Sequence, residues 1–205
     1  MTYEEKLKII RKIEIKPQIY QALEELQIKT GVEIGVREGN NLQNLTKNKY
    51  FSEGKLYGVD CWKEIPDRPE INDVGFTQEI LDKQYASCVS RFADKHFVEI
   101  IRDFSVEASA RFQNDFFDFI YIDAAHDYDS VVEDIHVWWP KLKTGGIFSG
   151  HDYFMDKRIW RGKECGVFKA VNEFIEQNDL KLDHMTSTNK EGGYGVACNS
   201  FFIIK

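Results

Sequence analysis

Apolar residues recur at three- and four-residue spacings through the first part of the chain, at Leu7, Ile10, Ile13, Ile19, Leu23 and Leu26, the period of an amphipathic helix. Lys16-Pro17 interrupts the run, because proline lacks the amide hydrogen of a helix interior and clashes with the preceding turn. The pattern predicts two cover helices within residues 3–28. From Val32 the period changes. Val32-Glu33-Ile34-Gly35-Val36 is a short apolar run that stops at Arg37-Glu38-Gly39-Asn40-Asn41, as a buried strand does when it ends in a glycine turn. Strands of the same kind are predicted at 55–60, 97–103, 117–123, 145–150 and 200–204. Helical spacing returns between them, over 41–48, 77–93, 105–112, 129–139 and 165–177. Such alternation predicts an α/β, doubly wound fold with a mainly parallel sheet. Residues 61–76 and 153–165 fit neither period. Both follow predicted strand ends, the side on which open α/β sheets bind ligands, and are read as covering loops over a site; ordinary surface insertions are the alternative.

Composition narrows the possibilities. At 205 residues, 42% hydrophobic and 30% charged, the chain carries the apolar material for one core, and a single domain over 1–205 is expected. Its 27 basic and 34 acidic residues leave a net charge of −7, which disfavours a nucleic-acid partner drawn by bulk attraction. No apolar run reaches the roughly 18 residues of a bilayer span, and the charged start lacks the apolar centre of a signal peptide. A cytoplasmic protein with no membrane partner is the expectation. Cys61, Cys88, Cys165 and Cys198 are scattered without a Cys-x-x-Cys pair, so separate reduced thiols are expected.

The turn after the first strand bears on the cofactor. A dinucleotide fingerprint needs a second glycine two positions after the first, where pyrophosphate touches the backbone. Counting from Gly35, that position is Arg37, which argues against NAD or FAD. The second strand ends at Asp60, 25 residues after Gly35 (60 − 35), near the roughly 20-residue offset at which an acid meets a ribose. A carboxylate suits a vicinal diol because it offers two acceptor oxygens and no donor. After the third strand, Asp103 could accept from an adenine amine and Phe104 could lie against the ring.

The longest informative segment is Phe117-Asp118-Phe119-Ile120-Tyr121-Ile122-Asp123-Ala124-Ala125-His126-Asp127-Tyr128, followed by Pro140, Leu142, Gly145-Gly146 and His151-Asp152-Tyr153. Together with the acid-x-Gly-x-x-x-Gly loop formed by Glu33, Gly35 and Gly39, it resembles class I S-adenosylmethionine-dependent methyltransferases. The resemblance is to the branch in which strand four ends as Ile-Asp-Gly-x-His-x-Tyr and strand five as His-Asp. It covers residues 31–152 motif by motif.

The resemblance implies a Rossmann-like seven-stranded sheet of order 3-2-1-4-5-7-6 with strand 7 antiparallel, residues 180–185 and 200–204 fitting the places of strands six and seven. It implies S-adenosylmethionine as cofactor, bound by Glu33, Gly35, Gly39, Asp60, Asp103, Phe104 and Asp123. Methyl transfer to oxygen of a small-molecule or sugar-like acceptor is the leading expectation, with nitrogen and carbon acceptors open. His126 is the candidate base, since an imidazole takes up a proton near neutrality, and Asp123 is the second catalytic candidate. Related O-methyltransferases hold a divalent cation at positions matching Asp123, His151 and Asp152; a histidine there favours a transition metal over magnesium. Hydrogen bonding without a metal is the alternative for His151 and Asp152. A non-catalytic cofactor-binding module or partner subunit is the alternative for the whole chain. Trp138 and Trp139 are expected to pack rather than bind, and His96, His136 and His184 to be structural or exposed. Lys157, Arg158, Arg161 and Lys163 form a basic cluster that could meet an anionic acceptor.

Overall fold

The computed structural model describes residues 1–65, 77–153, 159–160, 163–187 and 199–205. Among these residues one sheet holds β1 (Thr30–Ile34), β2 (Lys55–Asp60), β3 (Val98–Arg102), β4 (Phe117–Ile122), β5 (Leu142–Gly150), β6 (His184–Met185) and β7 (Phe201–Ile204). Its order is β3-β2-β1-β4-β5-β7-β6. The first five strands are mutually parallel, and β7 runs antiparallel to both β5 and β6. This is the doubly wound α/β sheet that the apolar runs predict, with the Rossmann-like strand order and antiparallel seventh strand that the family resemblance implies. The central strands carry apolar residues on both sides because both faces are covered.

Helices α1 (Tyr3–Ile10), α2 (Ile19–Glu25), α3 (Asn40–Leu45) and α4 (Gln78–Arg91) lie on one face, and α5 (Ser105–Ser109), α6 (Tyr128–Trp138) and α7 (Val167–Gln177) on the other. Within β4, Phe119 and Tyr121 enter the first layer while Ile120 and Ile122 enter the second, the two-residue alternation of a strand. Each such side chain, fully buried, contributes about 1.5–3 kcal/mol. Trp138 is buried against Phe112 and Phe117, and Trp139 packs on Phe148 and Phe174; both are packing residues, as expected.

Local side-chain chemistry explains where elements depart from their predicted bounds. The helix predicted over 41–48 stops at Leu45, and Asn48 starts a 3-10 turn, Lys49–Glu53. The Asn48 side chain accepts from the Tyr50 amide at 3.1 Å and donates to the Ile28 carbonyl at 2.9 Å, satisfying backbone groups that a longer helix would have paired. Strand β5 begins at Leu142 rather than 145, because the ladder steps from Phe117↔Leu142 to Phe119↔Ile147 and so bulges out the intervening residues. The segment read as the 153–165 loop contains a two-stranded ribbon, Ile159–Trp160 with Lys163–Glu164. Of the 61–76 loop, residues 66–76 lie outside the described residues, as does Cys198.

The segment between α1 and α2 is fastened to the far edge of the sheet. His184 Nε2 lies 2.6 Å from the Ile13 carbonyl, and the Ser187 amide and hydroxyl both donate to the Glu14 carbonyl, at 2.9 and 3.0 Å. Tyr3 donates to Asp183, whose other oxygen accepts from the Ile204 amide at 2.7 Å. No described helix is long and apolar enough to cross a membrane.

Candidate functional site

The C-terminal ends of the parallel strands converge beside the β1 turn. Gly35 has φ +90°, and a Cβ there would stand 2.0 Å from the Asp123 carbonyl. Only glycine permits this approach of the β1 and β4 loops. Gly39, at φ +80°, starts α3. Glu33 is 1% exposed; its Oε1 accepts from Asn41 Nδ2 at 2.9 Å, while Oε2 has no hydrogen-bond partner. Burial pushes the Glu33 carboxyl up to about 8, against the pull of Lys16 and Asn41. Asp60 accepts from the Trp62 amide at 2.9 Å and from the Arg37 amide at 2.8 Å. Burial raises its pKa, opposed by these backbone donors. Each Asp60 oxygen keeps acceptor capacity beyond the amide it already holds.

Asp103 accepts from the Phe104 amide at 3.1 Å and from Arg111 at 2.5 Å, so its carboxylate is already engaged. Phe104 is half-buried and joins neither apolar cluster. Its ring faces Lys63 Nζ at 5.6 Å. The aromatic surface is thus held at the start of α5 without being consumed by the core.

A second group stands where β4 and β5 end. His126 Nε2 is 2.8 Å from Asp152 Oδ2 and 3.6 Å from Asp123 Oδ1, yet makes no well-directed hydrogen bond with either. His151 Nδ1 is 3.2 Å from Asp152 Oδ2 and 3.7 Å from Asp123 Oδ1. Lys16, from the segment between α1 and α2, places Nζ 2.6 Å from Asp123 Oδ2; both side chains are 18% exposed. Burial alone would raise the Asp123 carboxyl, but Lys16 and then His151 and His126 hold it well below the usual carboxylate range. Asp152 is likewise held low, its two histidine partners outweighing burial. Burial disfavours the His126 imidazolium, yet the two carboxylates outweigh it and lift its pKa well above the ordinary value.

A methyltransferase domain family matches residues 32–153, more than half of the chain. The chain belongs to this methyltransferase family. Its fold is shared by the O-methyltransferase from Bacillus cereus in complex with S-adenosylhomocysteine, with a TM-score of 0.65 at 14% identity, over 93% of this chain and 80% of that one. The O-methyltransferase TomG from Streptomyces achromogenes gives 0.63 at 16% identity over 93% and 79%. The N-methyltransferase NodS from Bradyrhizobium japonicum gives 0.60 at 14% identity over 92% and 94%. No curated protein matches in sequence.

In this methyltransferase the sequence-predicted residues divide into two neighbouring groups: Glu33, Gly35, Gly39 and Asp60 around the β1 turn, with Asp103 and Phe104 beyond β3, and Asp123, His126, His151 and Asp152 at β4 and β5. Among the described residues, the set whose donor atoms all lie within 4.8 Å of one another is Asp123, His126 and Asp152. It contains His126, read from sequence as a base, where His151 was expected as a ligand. Lys16 escaped the sequence reading because it lies outside the matched region, with no motif around it beyond a helix-breaking proline. Of the other histidines, His184 braces Ile13, His136 is exposed and bonded to the Val132 carbonyl, and His96 packs edge-on against Phe97. The side chains of Lys157, Arg158, Arg161 and Lys163 lie outside the described residues.

Proposed function

We propose that this methyltransferase moves the methyl group of S-adenosylmethionine to a hydroxyl oxygen of a small-molecule or sugar-like acceptor, aided by a divalent cation held by Asp123, His126 and Asp152. The carrying observation is the convergence of those three donors beside the Glu33–Asp60 turn. In the transfer the acceptor hydroxyl gives its proton to solvent water, its oxygen bonds the methyl carbon, the carbon–sulfur bond breaks toward sulfur, and S-adenosylhomocysteine leaves as a neutral thioether. Catalysis of this kind rests mainly on positioning.

For the cofactor, the unpartnered Glu33 Oε2 suits an ammonium, Asp60 suits the ribose hydroxyls, and Phe104 offers a face to adenine. Asp103 contributes through acceptor capacity that Arg111 leaves open. Gly35 and Gly39 let the turn approach the amino-acid end. Solved proteins of this fold include O-methyltransferases bound to S-adenosylmethionine or its product. NodS transfers to nitrogen on the same fold, so the oxygen reading leans on the cation group rather than on the fold.

The residues fit a cation. Donors about 2.0–2.2 Å from one ion stand about 2.8–3.6 Å apart, and His126 Nε2 lies at 2.8 and 3.6 Å from its two carboxylate neighbours. A buried nitrogen aimed at neither carboxylate is what a ligand looks like when its lone pair serves a third centre. A mixed nitrogen and oxygen set favours manganese or zinc over magnesium. Such a cation, when bound, lowers the pKa of a coordinated hydroxyl. Against burial, Asp123 and Asp152 raise the pKa of His126, so a cation, which needs the neutral ring, competes with a proton for this nitrogen.

Calorimetry with S-adenosylhomocysteine, with Mn²⁺, Zn²⁺ and Mg²⁺, and methyl transfer to a panel of catechol and sugar hydroxyls test this reading. Cofactor-product binding, uptake of Mn²⁺ or Zn²⁺, and turnover abolished by chelator support it. Product binding with no acceptor methylated would leave a non-catalytic module, and full turnover in chelator would remove the cation.

A further inference from the structure

Lys16 lies outside the family-matched residues 32–153 yet reaches Asp123 at the end of β4. Its ammonium is fixed on several sides. It pairs with Asp123 Oδ2 at 2.6 Å and sits 5.3 Å from the centre of the Tyr121 ring, a cation–π distance. Tyr121 is itself buried and bonded through its hydroxyl to Ser200 Oγ at 2.9 Å. The backbone that carries Lys16 is fastened by His184 and Ser187 through the Ile13 and Glu14 carbonyls. This is a built contact, unlike a surface ion pair whose partners are free to part.

A carboxylate can offer a cation one oxygen or two. With Lys16 on Oδ2, Asp123 offers Oδ1, the oxygen facing His126 and His151. Resting on the cation reading above, we infer that Lys16 is a positioning residue that sets which cation the methyltransferase accepts, by restricting Asp123 to a single oxygen donor. Small ions such as Mn²⁺ and Zn²⁺ are satisfied by few, closely placed donors. Ca²⁺ takes about six to eight oxygens and readily uses both oxygens of a carboxylate. Lys16 also offsets one of the two negative charges of Asp123 and Asp152, and Ca²⁺, bound through oxygen charge alone, loses most from that. The N-terminal segment thereby discriminates against calcium.

The test is titration of the full-length protein with Mn²⁺ and with Ca²⁺, free of cofactor, in wild type, Lys16→Met and Lys16→Arg. Lys16→Met keeps the apolar stem, and Lys16→Gln, with the same readout, serves if it does not fold. The ratio of the Ca²⁺ dissociation constant to that for Mn²⁺ is expected to fall about tenfold or more in Lys16→Met and to stay near wild type in Lys16→Arg. Far-UV circular dichroism and the thermal melting midpoint, which read the sheet and its helices rather than the site, check that each variant is folded. An unchanged ratio in the folded neutral variant, or an equal fall in Lys16→Arg, overturns the inference alone. A wild type that takes up neither ion overturns it together with the cation reading.

Discussion

Glu33 has one carboxylate oxygen on Asn41 and the other without a partner in a buried turn. With its pKa near 8, it is mostly protonated at neutral pH until a cationic ligand arrives. An ammonium placed against it favours the ionised form, so binding releases a proton. S-adenosylhomocysteine affinity should therefore rise with pH up to about 8 and then level, by at most about tenfold per pH unit. Calorimetry in buffers of different ionisation enthalpy reads the proton directly, and Glu33→Gln should flatten the profile. Glu33 and Asp60 could be picked out in the sequence as neighbours of one turn because each sits at a strand end at a fixed offset from Gly35. Lys16 could not, since its partner lies 107 residues away and no periodicity links the two. The sequence singles out His126 as chemistry, but not its closeness to Asp152, because the two come from different loops.

Among the elements, α6 begins immediately after His126. Its cap, Asp127, accepts from the Ser130 amide at 3.1 Å, and the Gly166 amide donates to the His126 carbonyl at 2.8 Å. A Cβ on Gly166 would stand 2.3 Å from the Tyr128 nitrogen, so the starts of α6 and α7 touch backbone to backbone. Gly166→Ala should cost about 1–3 kcal/mol, the range for overpacking, read as a lower melting midpoint, and should weaken Mn²⁺ uptake by displacing His126. The strands buried on both faces declared themselves as apolar runs. Two-residue β6 is too short to show a period, and the start of β5 is hidden by the bulge that shifts its pairing.

Across the whole molecule, buried acids that favour their protons give stability a definite slope with pH. Glu33 stands near 8, and Asp134, buried on α6 with Ser105 and Trp138 around it, is pushed up by burial to about 7. Both are raised, so their contribution is fully present below the unfolded carboxyl range and is lost as pH rises through about 7 to 8. The raised His126 adds the same sign once pH passes its unfolded value. The ligand-free protein should melt at progressively lower temperature from about pH 5.5 to about pH 8.5, and the Glu33→Gln, Asp134→Asn double variant should show a shallower decline. The fastening of residues 13–14 to residues 184–187 bears on time as well as on energy. Nearly the whole chain must be threaded before those contacts close, and distant contacts form slowly. On local opening the same fastening is placed to release first, so hydrogen exchange at the Ile13–Lys16 amides should outrun that of β1 and β4, and the Lys16–Asp123 pair would be the first contact at the end of β4 to loosen.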